Sequence, residues 1–239
     1  MKIDREKSIL MLKKIIICSL SLMLLGFGCG INIVTRQGAD PITVFYEGLS
    51  KTLGISVGLT ASVLNFSLIL IVLIISFFSA KANNVRNFKE MLGYIFKYIS
   101  VGTVVYLFVL GTFIDFGIWV YGLWGIPNTF VFQIIGSLIG CLICFIGLGG
   151  YMSVDIGIDP WTAFAVILSK KLNKSFRSVK IILDGLTLLS GWLMGGKVGI
   201  ITLFCAIVGG PVIQKSAELL DKVLPKVLQS NYKRTVKNQ

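Results

Sequence analysis

The sequence contains no histidine, and all five of its cysteines lie within apolar runs. Histidine is the commonest metal ligand and the usual acid or base near neutral pH, so we expect no metal site, no cofactor and no catalytic residues. Cys141 and Cys144 are more typical of two small packing residues inside a helix than of a redox motif. A P-loop is missing as well. An enzyme or a self-contained ATP-driven pump is therefore the least expected class.

Charge is missing from long stretches of the chain, namely residues 15–35, 52–80, 98–114, 116–154 and 198–214. With a mean hydropathy of +0.85 and 55% hydrophobic residues, this excludes a soluble domain and a disordered chain. We predict an all-α polytopic membrane protein with six spans. The expected spans are 11–30, 56–78, 98–116, 129–149, 179–195 and 199–213.

Acidic residues are scarce, 11 against 23 basic ones, which gives a net charge of +12. Four segments, 1–14, 81–97, 170–180 and 215–239, hold 20 of the basic residues. This clustering follows the positive-inside rule for a multi-pass protein of the cell membrane with both termini cytoplasmic. We therefore expect the bilayer and a small solute as partners rather than nucleic acid, and leave a partner membrane subunit or a homo-oligomer open.

A short motif occurs twice: Gly38-Ala39-Asp40-Pro41 returns 119 positions later as Gly157-Ile158-Asp159-Pro160, and 28–66 aligns with 147–185 without a gap. Three spans per copy is an odd number, so the second copy must be inverted relative to the first. We predict a 3+3 inverted repeat. Its parts are a first repeat 1–116, an external connection 117–128, a second repeat 129–213 and a basic cytoplasmic tail 214–239.

Each motif begins a short helix. Asp40 and Asp159 are good N-cap residues followed by proline at the first helical position. The helices should end at Gly54 and Asn173, the residue types that most readily adopt the left-handed C-cap conformation, and Ser56 and Ser175 should cap the next helices. About 13 residues extend roughly 20 Å, which is too short to cross a membrane.

The segments before these helices, 31–39 and 150–158, are predicted to be non-helical linkers. Nine extended residues reach about 30 Å, so each linker is long enough to re-enter the membrane. Such backbone is tolerated at depth only where protein or a water-filled cavity satisfies it. The alternative is a short helix lying at the interface; the apolar composition of the linkers favours re-entry.

Asp184 interrupts an otherwise apolar span, and its repeat equivalent is Asn65. An intramembrane carboxylate points by default to ion or proton coupling, whereas an i, i+4 ion pair with Lys180 is the structural alternative. Both interpretations stay open. The predicted substrate-binding residues lie in the linkers and at the two helix starts: Arg36, Asp40, Thr43, Asp155, Asp159, Trp161 and Thr162.

The chain also resembles the YitT/YczE-type bacterial integral membrane proteins, in which a Gly-x-x-Pro helix start precedes a Gly-Leu-Ser-like stretch and a Gly-x-Ser/Thr-x-Gly entry to the next span. The matching segments are 38–41, Gly48-Leu49-Ser50 and Gly54-Ile55-Ser56-Val57-Gly58. The resemblance implies a six-span membrane protein. Some members have Trp-Asp after the proline where this chain has Ile42-Thr43 and Trp161-Thr162, so a role for that acidic residue is not carried over.

Inverted repeats with broken helices are typical of secondary transporters. The sequence therefore predicts a secondary transporter or exporter that moves a small anionic or amphiphilic solute by alternating access. The alternative is a membrane module that does not transport, either a substrate-binding subunit or a scaffold for a partner complex.

Overall fold

The computed structural model describes residues 2–82, 87, 90, 92–93, 99–124 and 129–223. Most of the predicted basic loop 81–97, part of the connection 117–128 and the tail beyond Val223 lie outside these residues. Eight α-helices of 12 to 34 residues fall within the described ranges, which contain no strand. In chain order they are α1 Lys2–Thr35, α2 Pro41–Leu53, α3 Val57–Ala82, α4 Val101–Leu123, α5 Phe130–Val154, α6 Pro160–Lys171, α7 Phe176–Leu193 and α8 Ile200–Val223.

Five of these helices, α1, α3, α4, α5 and α8, are long and apolar enough to cross a membrane. The protein is thus an all-helical, multi-pass membrane protein. The helix in the region of the predicted fifth span, α7, has 18 residues and carries the charged residues Arg177, Lys180 and Asp184. Helix α4 continues to Leu123, past the predicted end of the third span, and α8 continues to Val223.

The prediction that 31–39 and 150–158 are non-helical linkers is wrong for most of their length. Helix α1 continues to Thr35 and α5 to Val154, so only residues 36–40 and 155–159 connect to the short helices. A helix satisfies every backbone group internally, which an extended chain among apolar side chains does not. Both long helices end at left-handed residues in equivalent positions, Arg36 (φ 58°) and Asp155 (φ 50°).

Helices α1 and α5 form the centre of the bundle and run antiparallel. A Cβ atom on Gly28 would lie 2.7 Å from the amide nitrogen of Cys144, and one on Gly147 would lie 2.5 Å from the amide nitrogen of Leu25. These two contacts are equivalent under the 119-residue offset. Because glycine lets helix backbones approach closely in lipid, these residues set the separation of α1 and α5.

The outer long helices, α4 and α8, pack against the central pair through a second set of equivalent glycines. Gly30 of α1 packs against Ile114 and Ile118 of α4, and Gly149 of α5 packs against Ile213 and Ala217 of α8. In both pairs the helices run parallel. The main buried apolar cluster follows these helices, with Leu22, Ile114, Phe145 and Ile201 among its members.

The two halves differ at one interface. Helix α3 packs closely on α4, whereas no comparable packing joins α7 to α8 in the described residues. A Cβ atom on Gly111 of α4 would collide with Gly58 of α3, but one on Gly210 of α8 or on Gly185 of α7 would meet no atom within 4 Å. Helices α7 and α8 therefore lack the close packing that joins α3 to α4 in the described residues.

Candidate functional site

The two short helices start as the sequence predicts. The carboxylate of Asp40 accepts from the amide N–H of Thr43 at 3.4 Å, and that of Asp159 accepts from the amide N–H of Thr162 at 2.8 Å. Gly54 ends α2 in the left-handed conformation, and Asn173 has a φ of 51° just after α6. The predicted caps are confirmed at both ends. Ser56 and Ser175 likewise accept from the amides of Leu59 and Ser178.

Helix α2 begins beside the interior of α1 rather than beside its end. The hydroxyl of Thr43 donates to the sulfur of Cys29 at 3.5 Å, and Cys29 precedes the end of α1 by six residues, about 9 Å along the helix. The short connection 36–40 therefore folds the chain back along α1 before α2 starts.

Each connection is held by the last long helix of the other half. The amide of Gly102, at the start of α4, donates to the carbonyl of Ile156 at 3.0 Å, and the amide of Ile201, at the start of α8, donates to the carbonyl of Gln37 at 3.1 Å. Thr103 adds a hydroxyl bond to the carbonyl of Ile158 at 2.9 Å. These bonds satisfy the backbone groups of connections that lack helical bonds of their own.

Asp184 of α7 is the centre of a polar cluster. Its two carboxylate oxygens accept from the ammonium of Lys180 at 2.5 and 2.7 Å, and Oδ1 also accepts from the indole Nε1 of Trp161 at 3.1 Å. The ion pair with Lys180 is confirmed, and the bond from α6 adds a contact that the i, i+4 spacing does not predict. The side chains of Lys180 and Asp184 are 31% and 29% exposed.

Asp40 belongs to the same region because its carboxylate interacts electrostatically with Lys180. Burial raises the pKa of the Asp40 carboxyl above its usual value, while the hydrogen bond from Thr43 and the charge of Lys180 oppose that rise. The ammonium of Lys180 thus pairs with Asp184 and acts electrostatically on Asp40 as well.

Asn65, the repeat equivalent of Asp184, is buried. Its side-chain nitrogen donates to the hydroxyl of Tyr46 at 3.0 Å and to the carbonyl of Ala61 at 2.8 Å, whereas its side-chain oxygen has no hydrogen-bond partner. Both Asp40 and Asp159 act electrostatically on Tyr46. Asn65 therefore contacts α2 through Tyr46, just as Asp184 contacts α6 through Trp161.

The structure does not bring Arg36 and Asp155 together. Both side chains are exposed, and no ion pair joins them in the described part of the chain. They follow the ends of α1 and α5, which run antiparallel, so the two residues lie at opposite ends of the central helix pair. Of the predicted binding residues, Thr43 is buried, Trp161 and Thr162 are half-buried, and these three lie at the helix starts.

Two carboxylates that hold helices together escape the sequence reasoning. Asp115 of α4 accepts from the hydroxyl of Ser56 at 2.6 Å and from the amide of Gly58 at 2.7 Å, so it fastens the start of α3. Glu47 of α2 pairs with Lys51 and accepts from the amide of Lys197 at 2.8 Å. The i, i+4 spacing of Glu47 and Lys51 is a readable signal; the contacts of Asp115 have no local one.

The cysteines are free and most are buried. Two pairs of sulfurs approach each other between helices, Cys29 with Cys144 at 3.5 Å and Cys141 with Cys205 at 3.2 Å. Cys141 and Cys144 therefore contact different helices rather than each other's sulfur.

The model of a family of unknown function, DUF6198, matches residues 12–217. The uncharacterized membrane protein YczE of Bacillus subtilis is 24% identical over 198 residues, which cover 82% of this chain and 81% of the relative. An uncharacterized protein of Haemophilus influenzae is 25% identical over 203 residues, covering 84% of this chain and 82% of the relative. No solved structure matches.

Proposed function

This chain belongs to the DUF6198 family of unknown function, and we propose that it is a secondary transporter of a small solute in the cytoplasmic membrane. It has six spans in a 3+3 inverted repeat, with both termini cytoplasmic and α7 as the fifth span. It is not an enzyme. The polar region formed by the two helix starts, Asn65 and Asp184 is its substrate and coupling site.

One observation carries the proposal. Equivalent residues of the two halves make equivalent contacts, yet α3 packs closely on α4 whereas α7 has no comparable packing on α8. Two copies of one unit that adopt different packing are what an alternating-access transporter requires, because exchanging the two packings exchanges the inward and outward states. The hydrogen bonds from the amides of Gly102 and Ile201 to the connections of the opposite half support this interpretation, because they couple the two halves to each other.

The charges of α7 fit a membrane span. Intramembrane ions pair with one another or face a cavity, and the carboxylate of Asp184 is neutralised by Lys180 and receives the indole of Trp161. The coupling role falls to Asp184, because the equivalent Asn65 is neutral and cannot exchange a proton.

The test is uptake by the purified protein in liposomes under an imposed proton or sodium gradient. The probes are radiolabelled octyltrimethylammonium and octanesulfonate, which share a chain and differ in head-group charge. We expect gradient-dependent uptake of one probe by the native chain and loss of that dependence in Asp184→Asn. The matched control is Asp115→Asn, the same chemical change at a carboxylate outside the site, which should keep the dependence.

Two results would contradict the proposal. Unchanged gradient dependence in Asp184→Asn would remove this residue from the coupling mechanism. Failure of the native protein to move either probe in any gradient would refute transport of these solutes and favour the non-transporting module.

A further inference from the structure

Helix α2 is fastened to the connection between α7 and α8, residues 194–199, by an ion pair and two hydrogen bonds. Oε1 of Glu47 pairs with the ammonium of Lys51 at 2.5 Å, and Oε2 accepts from the backbone amide of Lys197 at 2.8 Å. The same ammonium donates to the carbonyl of Gly195 at 2.7 Å. Both members of the ion pair therefore bind the backbone of the 194–199 connection.

The carboxylate of Glu47 depends on these partners, because its side chain is only 8% exposed, against 44% for that of Lys51. A carboxylate withdrawn from water is costly unless it is paired and hydrogen-bonded. Glu47 is thus satisfied either by Lys51 and the amide of Lys197, with the connection in place, or by water, with the connection displaced. Two discrete arrangements of this kind are typical of elements that switch between states.

Glycines bring the backbones of α2 and α7 into direct contact. A Cβ atom on Gly48 would collide with the carbonyl oxygen of Gly191 in α7, and one on Gly191 would lie 2.7 Å from the amide nitrogen of Phe45. The connection continues this contact, because a Cβ atom on Gly196 would collide with the carbonyl oxygen of Val44. Since the backbones touch, no solute passes between α2 and α7 in this arrangement.

The 194–199 connection lies at the end of the bundle where α1 ends. The amide of Ile201, just after the connection, donates to the carbonyl of Gln37 at 3.1 Å, and a Cβ atom on Gly199 would collide with the same carbonyl. Gln37 follows the end of α1 and leads through Asp40 to the start of α2. The ion pair therefore closes the end of the bundle from which this segment folds back along α1.

The second repeat cannot form this ion pair, because Val166 of α6 occupies the position of Glu47 under the 119-residue offset. Ile167 occupies the position of Gly48 and packs with Val72 of α3 in a buried apolar cluster. Lipid is as apolar as these side chains, so such packing has little hydrophobic driving force. Of the two equivalent contacts, the one between α2 and α7 is thus the one held by an ionic interaction.

From these observations we infer that α2 and the 194–199 connection form the outer gate of the protein, and that Glu47 and Lys51 are the latch that holds this gate closed. Opening requires Lys51 to release the carbonyl of Gly195 and Glu47 to exchange the amide of Lys197 for water. The two residues are positioning residues and do not contact the solute. This inference rests on the proposed function for the role of the gate and for its place on the outer side.

The experiment measures opening of the gate in lipid nanodiscs, which leave both faces of the protein in water, so the result depends neither on transport nor on orientation. The starting chain has its five native cysteines replaced by serine or alanine. Val44→Cys places a single thiol in the contact of α2 with α7, and Ala163→Cys places one at the equivalent position of α6; both native residues are 1% exposed. The probe is 2-(trimethylammonio)ethyl methanethiosulfonate, a charged reagent that reaches a thiol only through water. Its reaction rate reports how often each contact opens.

Glu47→Gln keeps the shape of the side chain and removes its charge. It should raise the reaction rate at position 44 about tenfold, the effect of losing one charge-assisted interaction, and leave the rate at position 163 unchanged. Lys51→Met should give the same increase, because the buried carboxylate then lacks its cation, whereas Lys51→Arg should retain the native rate. Asp115→Asn is the matched control, since it makes the same chemical change at a carboxylate that binds the start of α3 rather than the connection.

An unchanged rate at position 44 in both Glu47→Gln and Lys51→Met would overturn the latch. An equal increase at positions 44 and 163, or an increase in Asp115→Asn as large as in Glu47→Gln, would overturn it as well, because either result shows a general loosening of the bundle. A selective increase at position 44 in a protein that takes up neither solute supports the latch and refutes transport, whereas uptake without any increase at position 44 refutes the latch alone.

Discussion

Gly28→Ala and Gly147→Ala test whether α1 and α5 pack in the manner described. A Cβ atom at position 28 would lie 2.5 Å from the oxygen of Gly140 and 2.7 Å from the nitrogen of Cys144; at position 147 it would lie 2.5 Å from the nitrogen of Leu25. These neighbours are backbone atoms, so the helices themselves must move apart.

The size of the effect follows from two opposing terms. Replacing glycine by alanine inside a helix stabilises it by up to about 1 kcal/mol, whereas overpacking costs about 1–3 kcal/mol. Because backbone cannot yield as a flexible side chain does, we place the cost near the upper limit and expect a net loss of about 1–2 kcal/mol at each site. In the double variant the loss should be less than additive, since separating α1 from α5 once relieves both contacts.

The assay is thermal unfolding in detergent, followed by reaction of a fluorogenic maleimide with the buried cysteines, which become accessible only on unfolding. At about 2–4 °C per kcal/mol for a chain of this size, each substitution should lower the Tm by about 2–8 °C. Gly185→Ala is the matched control, with no atom within 4 Å of the new Cβ, and should raise the Tm or leave it unchanged. A Tm increase in Gly28→Ala equal to that of the control would refute the packing.

Further substitutions test the caps. Gly54→Val should destabilise by about 1 kcal/mol or more, because a β-branched residue is forced to a φ of 68°; Gly54→Asn is the tolerated control, and a Tm equal for the two would contradict the left-handed cap. Asp115→Ala removes the acceptor of the Gly58 amide and the Ser56 hydroxyl and should cost about 1–3 kcal/mol, whereas Asp115→Asn, which keeps one acceptor, should cost less; equal losses would argue against a role of the acceptor.

Local chemistry made the short helices predictable. Asp40 and Asp159 before proline, and Gly54 and Asn173 after a periodic segment, act through bonds to residues within one turn, so the sequence contains all the partners. The ion pair of Lys180 with Asp184 is predictable for the same reason, since the two residues are one turn apart.

The ends of α1 and α5 were not predictable in this way. The alternating, apolar pattern of 31–39 favours a linker, but the hydroxyl of Thr35 bonds back to the carbonyl of Ile31 and Asn32 donates to Cys141 of α5. These contacts accommodate the polar side chains within helices. The backbone amides that Asp115 and Glu47 bind belong to Gly58 and Lys197, 57 and 150 residues away, so no local pattern identifies these two contacts.

The most direct measurement of the inverted repeat is the accessibility of single cysteines in intact bacterial cells. Trp124→Cys, after the exposed end of α4, and Lys174→Cys, between α6 and α7, are each introduced into a chain whose five native cysteines are replaced by serine or alanine. The account predicts that an impermeant maleimide labels position 124 from outside and position 174 only after the membrane is opened. Labelling of both positions from the same side would contradict it.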